Sequence, residues 1–213
     1  ADKKLMYDQE YLEELYCEYQ KTECDDKDSK DKLHSVLKGK KILLLGPGKT
    51  IKTEADKIKD YMEKEIEAIA VAINFIPENI PVKFVFLSNS RRYIRLNNAL
   101  KEERNKEVQV IATSNVTKTT EQFPFVLNNE ALLDETAEFM DNSFIMLLKI
   151  LEEMEVASVV CAGLDGYSSV EDNYANEDME YWFAKRKAQS LNQYVREYLQ
   201  KTDKLNLSFL TST

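Results

Sequence analysis

Short apolar runs that alternate with longer helical segments constrain the fold of this chain more than any other feature. The first run, KILLLG, is continuous, which is typical of a strand buried on both faces of a sheet. The runs are KILLLG (41–46), IEAIAVAINF (66–75), VKFVFLS (82–88), VQVIATS (108–114), FPFVLN (123–128), ASVVCAG (157–163) and LNLSFLT (205–211). Strands that alternate with helices favour a doubly wound sheet. We therefore predict an α/β fold with a mostly parallel sheet of about six or seven strands.

The predicted helices lie between these runs, at residues 51–64, 91–103, 142–155 and 177–201. Doubly wound sheets bind their ligands at the carboxyl ends of the strands, where the strand order reverses. The residues that follow each strand are therefore the candidates for a functional site.

The amino-terminal part of the chain differs from the rest. Residues 5–20 have helical spacing, residues 21–31 are a charged connector, and residues 32–37 predict a short helix. We predict a helical lead-in, or a linker from an upstream domain, over 1–38 and an α/β domain over 39–213. The chain begins ADKK without an initiator methionine, which suggests a piece of a longer protein.

The charge of the chain restricts its partners. Its net charge is −9, whereas a protein that binds duplex nucleic acid needs a basic surface to displace counterions. We therefore predict no nucleic-acid partner. A small anionic ligand is compatible with an acidic protein, because local backbone amides can hold a phosphate.

Cysteine usage and hydropathy bear on localisation. No segment reaches the roughly 20 apolar residues of a membrane span, and no signal peptide is recognisable. The three cysteines form no CxxC motif, and their odd number fits free thiols in a reducing compartment. We predict a cytoplasmic protein without a membrane partner.

The stretch LLLGPGKTIKT resembles the end of a phosphate-binding P-loop. In the GxxxxGK[ST] pattern the first glycine would fall on Leu43, and in GxGxxG the third would fall on Ile51, so neither motif is present. What remains is a tight glycine turn at the start of a helix. Its backbone N–H groups can bind a phosphate. The candidate ligand-binding residues are Gly46, Pro47, Gly48, Lys49 and Thr50. The alternative is a plain strand-to-helix turn.

Polar residues end three successive predicted strands. Asn74 ends the second, Ser88 and Asn89 end the third, and Ser114 and Asn115 end the fourth. Asparagine offers donors and an acceptor, so we predict a polar ligand site at this edge, although asparagine also favours turns for local reasons.

Arginines follow the third strand. Arg91 and Arg92 are predicted to clamp a phosphate bidentately, and a solvated helix start is the alternative.

Two later segments complete the candidate site. Asn142 and Ser143 precede an apolar helix, where they fit both an N-cap and a ligand contact. Gly163 and Asp165 end the sixth strand and open a long polar loop, for which a lid is one possible role. Asp165 is the candidate catalytic residue, as a base or a ligand to a ribose, a sugar or a metal. No spacing specifies a metal, so we predict none.

The single histidine excludes one group of mechanisms. His34 lies in the lead-in, away from the strand ends, and is predicted to be a surface residue. A Ser-His-Asp or Cys-His mechanism is therefore not expected.

Taken in order, these motifs resemble two groups of proteins. The segments ILLLGPGKTI, AINF, VKFVFLSNSRRY, IATSN, DNSFIMLLKILEEMEVASVVCAGLDGYS and LNLSFLT resemble the carboxyl-terminal domain that follows the barrel in bacterial aldolase-type proteins. Those proteins are similar to 4-hydroxy-2-oxovalerate aldolases and hydroxymethylglutaryl-CoA lyases, and the resemblance covers residues 38–213. More distantly, the segments resemble bacterial sialyltransferases and archaeal hydroxymethylpterin pyrophosphokinase-like proteins.

The resemblance implies a Rossmann-like domain with a nucleotide-type pocket. In the sialyltransferase pattern the first turn and the asparagine after the second strand hold a cytidine nucleotide, which here implies Gly46, Gly48 and Asn74. The late Gly-x-Asp implies Gly163 and Asp165, and the polar residue at the helix start implies Ser143. This chain departs from that pattern at Lys49 and Thr50 and in having no histidine near the site.

Three functions are compatible with this pattern. The first is a nucleotide- or nucleotide-sugar-binding accessory domain that serves an upstream aldolase-like barrel, without the barrel's chemistry. The second is a glycosyl or pyrophosphoryl transferase that acts from the same pocket. The third is an assembly domain that forms a homodimer.

Overall fold

A single parallel sheet of seven strands organises the chain. The computed structural model describes residues 21–116, 123–180 and 182–213, and the predicted helix over 5–20 lies outside them. The strands are β1 (Lys41–Leu45), β2 (Ile69–Ile73), β3 (Phe84–Leu87), β4 (Gln109–Thr113), β5 (Phe125–Leu127), β6 (Ser158–Ala162) and β7 (Leu207–Phe209). Their order is β5-β4-β3-β2-β1-β6-β7, and every neighbouring pair is parallel. The predicted α/β, Rossmann-like fold is confirmed.

Helices cover both faces of the sheet. They are α1 (Lys27–Leu37), α2 (Thr50–Thr53), α3 (Ala55–Lys64), α4 (Ser90–Leu100), α5 (Ser143–Glu153), α6 (Trp182–Arg186) and α7 (Ala188–Lys201). Short 3-10 turns lie at Glu103–Asn105, Glu130–Leu132 and Glu177–Met179.

Strands β1 to β4 are buried over most of their length, as a continuous apolar sequence predicts, whereas β7 at the edge is largely exposed. Side chains alternate across a strand, so β1 contributes Ile42 and Leu44 to one core and Leu43 and Leu45 to the opposite core. The first core also contains buried residues of α1 and α5, and the second contains Ile51 and Ile58. A third core lies between β3, β4 and α4.

Helix α1 belongs to the first core. Its Leu33 and Leu37 are fully buried there. The helix also covers edge strand β5, because Asp26 and Ser29 accept hydrogen bonds from the backbone N–H groups of Asn128 and Val126 at 2.9 and 3.1 Å. Covering an edge strand in this way removes a template for pairing with another chain. The described half of the predicted lead-in is thus packed onto the sheet.

Two predicted helices are interrupted in the structure, and α1 begins at Lys27, within the predicted charged connector. The segment over 51–64 is divided at Glu54 into α2 and α3. The segment over 177–201 is interrupted: Glu180 has an extended backbone, and Lys187 separates α6 from α7. Glu180 accepts hydrogen bonds from the backbone N–H groups of Asn173 and Tyr174, so a tertiary contact competes with helix propagation there.

The strand order reverses between β1 and β6. From β1 the chain builds β2 to β5 on one side, and β6 and β7 then pair on the other side. The loops that follow β1 and β6 therefore lie side by side at the carboxyl edge of the sheet, where doubly wound folds bind ligands. Among the described residues, no helix is long and apolar enough to cross a membrane.

Candidate functional site

A cavity of about 1010 Å³ opens at the carboxyl edge of the sheet. Its wall includes Gly48 after β1, Asn74 after β2, Asn115 after β4 and Asp165 after β6, together with residues of α4 and α7. Ligand pockets in proteins typically measure about 300–1,000 Å³. The space is therefore sufficient for a ligand of nucleotide size.

Two glycines allow the loops after β1 and β6 to meet at the floor of this cavity. The backbone N–H of Gly48 donates to the carbonyl of Gly163 at 2.8 Å. A Cβ atom on Gly48 would lie 2.6 Å from that carbonyl oxygen and 2.6 Å from Asp165 Oδ2, and Gly163 has a φ of +70°. The structure therefore explains the glycine turn by loop packing, whether or not a phosphate approaches it.

The helix start after this turn is capped by the protein itself. Asp165 Oδ2 accepts a hydrogen bond from the backbone N–H of Thr50 at 2.9 Å, and Oδ1 accepts one from the Thr50 hydroxyl. Thr211 supports the pair, because its hydroxyl lies 3.0 Å from Thr50 Oγ1 and accepts from the Gly163 N–H at 2.9 Å. An external phosphate at the Thr50 amide would have to displace the Asp165 carboxylate. The same bonds give Asp165 a positioning role, in addition to the predicted catalytic one.

Asn74 joins the ends of β2 and β3 to the start of α5. Its backbone has a φ of 60°, a left-handed conformation that asparagine tolerates better than most residues. Its Nδ2 donates to Ser143 Oγ at 3.0 Å, and Ser143 Oγ lies 2.6 Å from Ser88 Oγ. Asn74 Oδ1 is buried and has no hydrogen-bond partner among the described residues.

The other predicted polar residues have local partners. Asn89 caps α4 by accepting from the N–H groups of Arg91 and Arg92, and Asn142 caps α5 by accepting from Ile145 N–H at 3.2 Å. Asn115 Nδ2 donates to the Ser88 carbonyl at 3.1 Å. These bonds order the cavity wall, and capping explains part of the asparagine pattern at the strand ends.

The structure brings most of the predicted site residues to the cavity, but not all of them. Those that line it are Pro47, Gly48, Asn74, Asn89, Arg92, Asn115, Asn142, Ser143, Gly163 and Asp165. Those that do not line it are Gly46, Lys49, Thr50, Ser88 and Ser114. Gly46 and Ser88 are buried beneath the site, and Lys49 points outward as an exposed residue. Ser114 is held elsewhere, by the Thr22 carbonyl and by the Asn129 N–H.

Over the residues that the structure describes, the positively charged side chains that line this cavity are all arginines. Four of the six arginines of the chain line it: Arg91, Arg92 and Arg95 of α4, and Arg196 of α7. None of the described lining residues is a lysine, although lysine is the more common cation of the sequence. Arg95 and Arg196 were not among the residues predicted from the sequence. The separation of Arg91 and Arg95 by four positions on a helix was the available signal, because such residues share a face.

The loop between β6 and α6 forms another wall of the cavity and is tied down by side chains. Asn192 of α7 accepts from the Tyr167 N–H and donates to the Tyr167 carbonyl, both at 2.8 Å. Lys185 pairs with Asp172 at 2.7 Å, and this bond lowers the pKa of the Asp172 carboxyl. The Arg92 guanidinium lies 5.4 Å from the centre of the Tyr174 ring, which joins α4 to the loop.

Metal and histidine chemistry find no support in the described residues. Within the described part of the chain, no group of three or more His, Cys, Asp or Glu side chains could hold a metal ion. His34 does not line the cavity and pairs with Glu155 at 2.6 Å.

Comparison of the sequence with protein-family models and with curated proteins finds no match. Among solved structures, the chain is similar to a mammalian sialyltransferase in complex with Gal-beta-1-3GalNAc-ortho-nitrophenol, with 9% sequence identity and a TM-score of 0.39. The match covers 94% of this chain and 86% of the sialyltransferase chain. A likeness this weak carries no argument about function. The resemblance to aldolase-associated domains is not supported by these comparisons.

Proposed function

We propose that the protein binds an anionic small molecule of the nucleotide or nucleotide-sugar class in the cavity at the carboxyl edge of the sheet. The observation that carries this proposal is the concentration of arginine there. Four of six arginines line one cavity of a chain whose net charge is −9. Three of these arginines lie on α4 and the fourth on α7, and no lysine among the described residues lines the cavity.

The choice of arginine favours a planar or multidentate anion. A guanidinium presents a rigid fork of donors that matches phosphate and carboxylate oxygens, whereas an ammonium acts as a point charge. Three carboxylates, those of Asp141, Asp165 and Glu180, also line the cavity. Those of Asp165 and Glu180 already accept hydrogen bonds from backbone N–H groups of the protein. These internal donors partly offset the negative charge that would oppose an anion.

Aromatic side chains supply surfaces for an uncharged ring. Tyr167, Tyr174, Phe139 and Phe183 line the same cavity as the arginines. Phe139 and Phe183 meet edge to face, with ring centres 6.3 Å apart. Aromatic faces stack well on nucleobases, so the lining combines the two kinds of contact that a nucleotide needs.

The direct test is thermal unfolding of the purified chain with pyrophosphate and a panel of nucleotides and nucleotide sugars, with and without Mg²⁺. A ligand at 100 times its dissociation constant stabilises the native state by about 2.7 kcal/mol, which for a chain of this size raises the unfolding temperature by several degrees. We expect the stabilisation to disappear in Arg91→Gln/Arg95→Gln and to persist in Arg104→Gln. Arg104 is the matched control, because it lies outside the cavity and pairs with Glu102 on the surface. The absence of stabilisation by every anion in the panel would overturn the proposal.

Group transfer from the same cavity is the second candidate. It is favoured by the carboxylates that line the cavity beside the arginines, Asp165 among them. The test is release of nucleotide or pyrophosphate from a stabilising nucleotide sugar, compared between the wild type and Asp165→Asn. Service to an upstream aldolase-like barrel and formation of a homodimer stay predictions from the sequence, as does cytoplasmic localisation.

A further inference from the structure

Glu180 has one satisfied and one unsatisfied carboxylate oxygen. Oε1 accepts hydrogen bonds from the backbone N–H groups of Asn173 and Tyr174, the latter at 2.9 Å. Oε2 is buried and has no hydrogen-bond partner among the described residues. Glu180 lines the cavity. The backbone thus holds one oxygen of the Glu180 carboxylate, and the other oxygen is buried without a donor among the described residues.

A buried acceptor without a hydrogen-bond donor destabilises the native state. A buried polar group without a partner carries a desolvation penalty, and the penalty is larger for a charged group. A group that enters the cavity and donates a hydrogen bond would remove the penalty. Hydroxyl and amino groups are such donors, whereas a phosphate that has lost its protons is not.

Tyr174 links this acceptor to the arginines. Its backbone N–H holds Glu180, and its ring lies 5.4 Å from the guanidinium of Arg92. The anion-binding and donor-binding parts of the cavity therefore share one residue, Tyr174. A ligand that fits both parts carries a hydroxyl or amino group in addition to its anionic group.

We propose that Glu180 Oε2 accepts a hydrogen bond from a hydroxyl or amino group of the bound anion and so makes the cavity selective for a hydroxylated or aminated phosphate over a bare one. This inference rests on the proposed anion-binding function. It assigns Glu180 as a specificity-determining residue, and it names the ligand class as a sugar phosphate or a nucleotide that carries ribose hydroxyls.

The test compares Glu180→Gln with the wild type. A glutamine keeps the shape, and its amide oxygen still accepts from the Asn173 and Tyr174 N–H groups, so its NH₂ group replaces Oε2. The matched control is Glu177→Gln, a change of the same chemistry at an exposed residue outside the cavity. The probes in titration calorimetry are pyrophosphate, the four ribonucleoside diphosphates and their 2′,3′-dideoxy counterparts.

We expect Glu180→Gln to weaken binding of the best ribonucleoside diphosphate by about tenfold or more, as for loss of a hydrogen bond to a charged group. Pyrophosphate affinity should not fall in Glu180→Gln and is expected to rise, because the substitution removes a negative charge from the cavity. Glu177→Gln should match the wild type with every probe. For the wild type, the dideoxy counterpart should bind more weakly than the ribonucleotide by a similar factor if the donor is a ribose hydroxyl. A loss for the ribonucleotide but not for its dideoxy form would support the same assignment.

Equal affinity of Glu180→Gln and wild type for all probes would overturn the role of Glu180 while leaving anion binding intact. A parallel loss of pyrophosphate and nucleotide affinity would also overturn it, because the effect would then lie in the anion site or the loop. Failure of every probe, pyrophosphate included, to bind the wild type would overturn the proposed function itself.

Discussion

The carboxylate of Asp165 caps the backbone at Thr50, which lies 115 positions earlier in the chain. The bond joins the two loops at the point where the strand order reverses, and it places a carboxylate of the protein where the sequence pattern had suggested a phosphate. The start of α2 is thus part of the framework of the cavity, and the cavity's positive charge comes from α4 and α7 instead.

Removal of this cap should destabilise the fold. We expect Asp165→Ala to lower the free energy of unfolding by about 0.5–2 kcal/mol, the usual cost of a lost helix cap. Asp165→Asn should cost less, because its amide oxygen can still accept from the Thr50 N–H. Denaturant titration measures both values, and an unfolding free energy in Asp165→Ala equal to that of the wild type would show that the bond does not stabilise the protein.

Substitution of Gly48 should be more harmful than substitution of Gly39. We expect Gly48→Ala to cost about 1–3 kcal/mol, as for an overpacked site, because its Cβ would meet the backbone oxygen of Gly163 at 2.6 Å. Gly39→Ala is the control, since nothing lies within 4 Å of its Cβ and only its φ of +69° opposes a side chain. A smaller loss at Gly48 than at Gly39 in chemical denaturation would contradict the close crossing of the two loops.

The bidentate role of arginine can be separated from its charge at Arg95. If the ligand is held by a guanidinium fork, Arg95→Lys should lose much of the affinity that Arg95→Gln loses, because lysine keeps the charge but not the paired donors. If charge alone matters, Arg95→Lys should bind as the wild type does. Calorimetry with the best ligand of the panel, at low and at physiological salt, distinguishes the two outcomes.

Cys161 should be inert in the native protein. The side chain is fully buried in β6, and burial raises the pKa of its thiol. Because the thiolate is the reactive form, we expect a maleimide to leave Cys161 unmodified at neutral pH until the protein unfolds. Mass spectrometry of the peptide that contains Cys161 measures this, and rapid native labelling would show that β6 is not part of the core.

The Asp172–Lys185 pair should contribute to stability in a pH-dependent way. The hydrogen bond to Lys185 lowers the pKa of Asp172 below its ordinary value of 3.8. The contribution is therefore fully present above that ordinary value and is lost as the pH falls through the lowered folded-state pKa. We expect the difference in unfolding free energy between the wild type and Asp172→Asn to be small, to hold at neutral pH and to vanish in acid. A difference that grew on acidification would contradict this sign.

Much of the fold could be predicted from local pattern. The seven apolar runs correspond to the seven strands within a few residues at each end. For β2 and β3, which are buried along their whole length, the reason is that a strand buried on both faces needs an unbroken apolar sequence. The apolar helix over Ser143–Glu153 was also predicted, since its burial demands the same kind of sequence. The break at Glu180 was not predicted, because the hydrogen bonds that Glu180 accepts from the preceding loop leave no mark in the helical periodicity.

The site was only partly predictable for a related reason. Strand ends such as Asn74 and Asp165 could be named, because parallel strands bring their carboxyl ends to one edge. Arg196 and Glu180 could not, because their distance from the cavity depends on how α7 and the preceding loop fold back over the sheet.

The alternation of strands and helices, the glycine turn after β1 and the acidic charge of the chain follow directly from the order and type of the amino acids. Hydrophobic periodicity and composition are local properties, and they act before any long-range contact forms. The cap of Thr50 by Asp165, the meeting of α4 and α7 arginines in one cavity and the missing donor at Glu180 among the described residues depend on the folded arrangement. The first two join residues far apart in the chain, and their energies exist only when packing brings the groups together and removes water from between them.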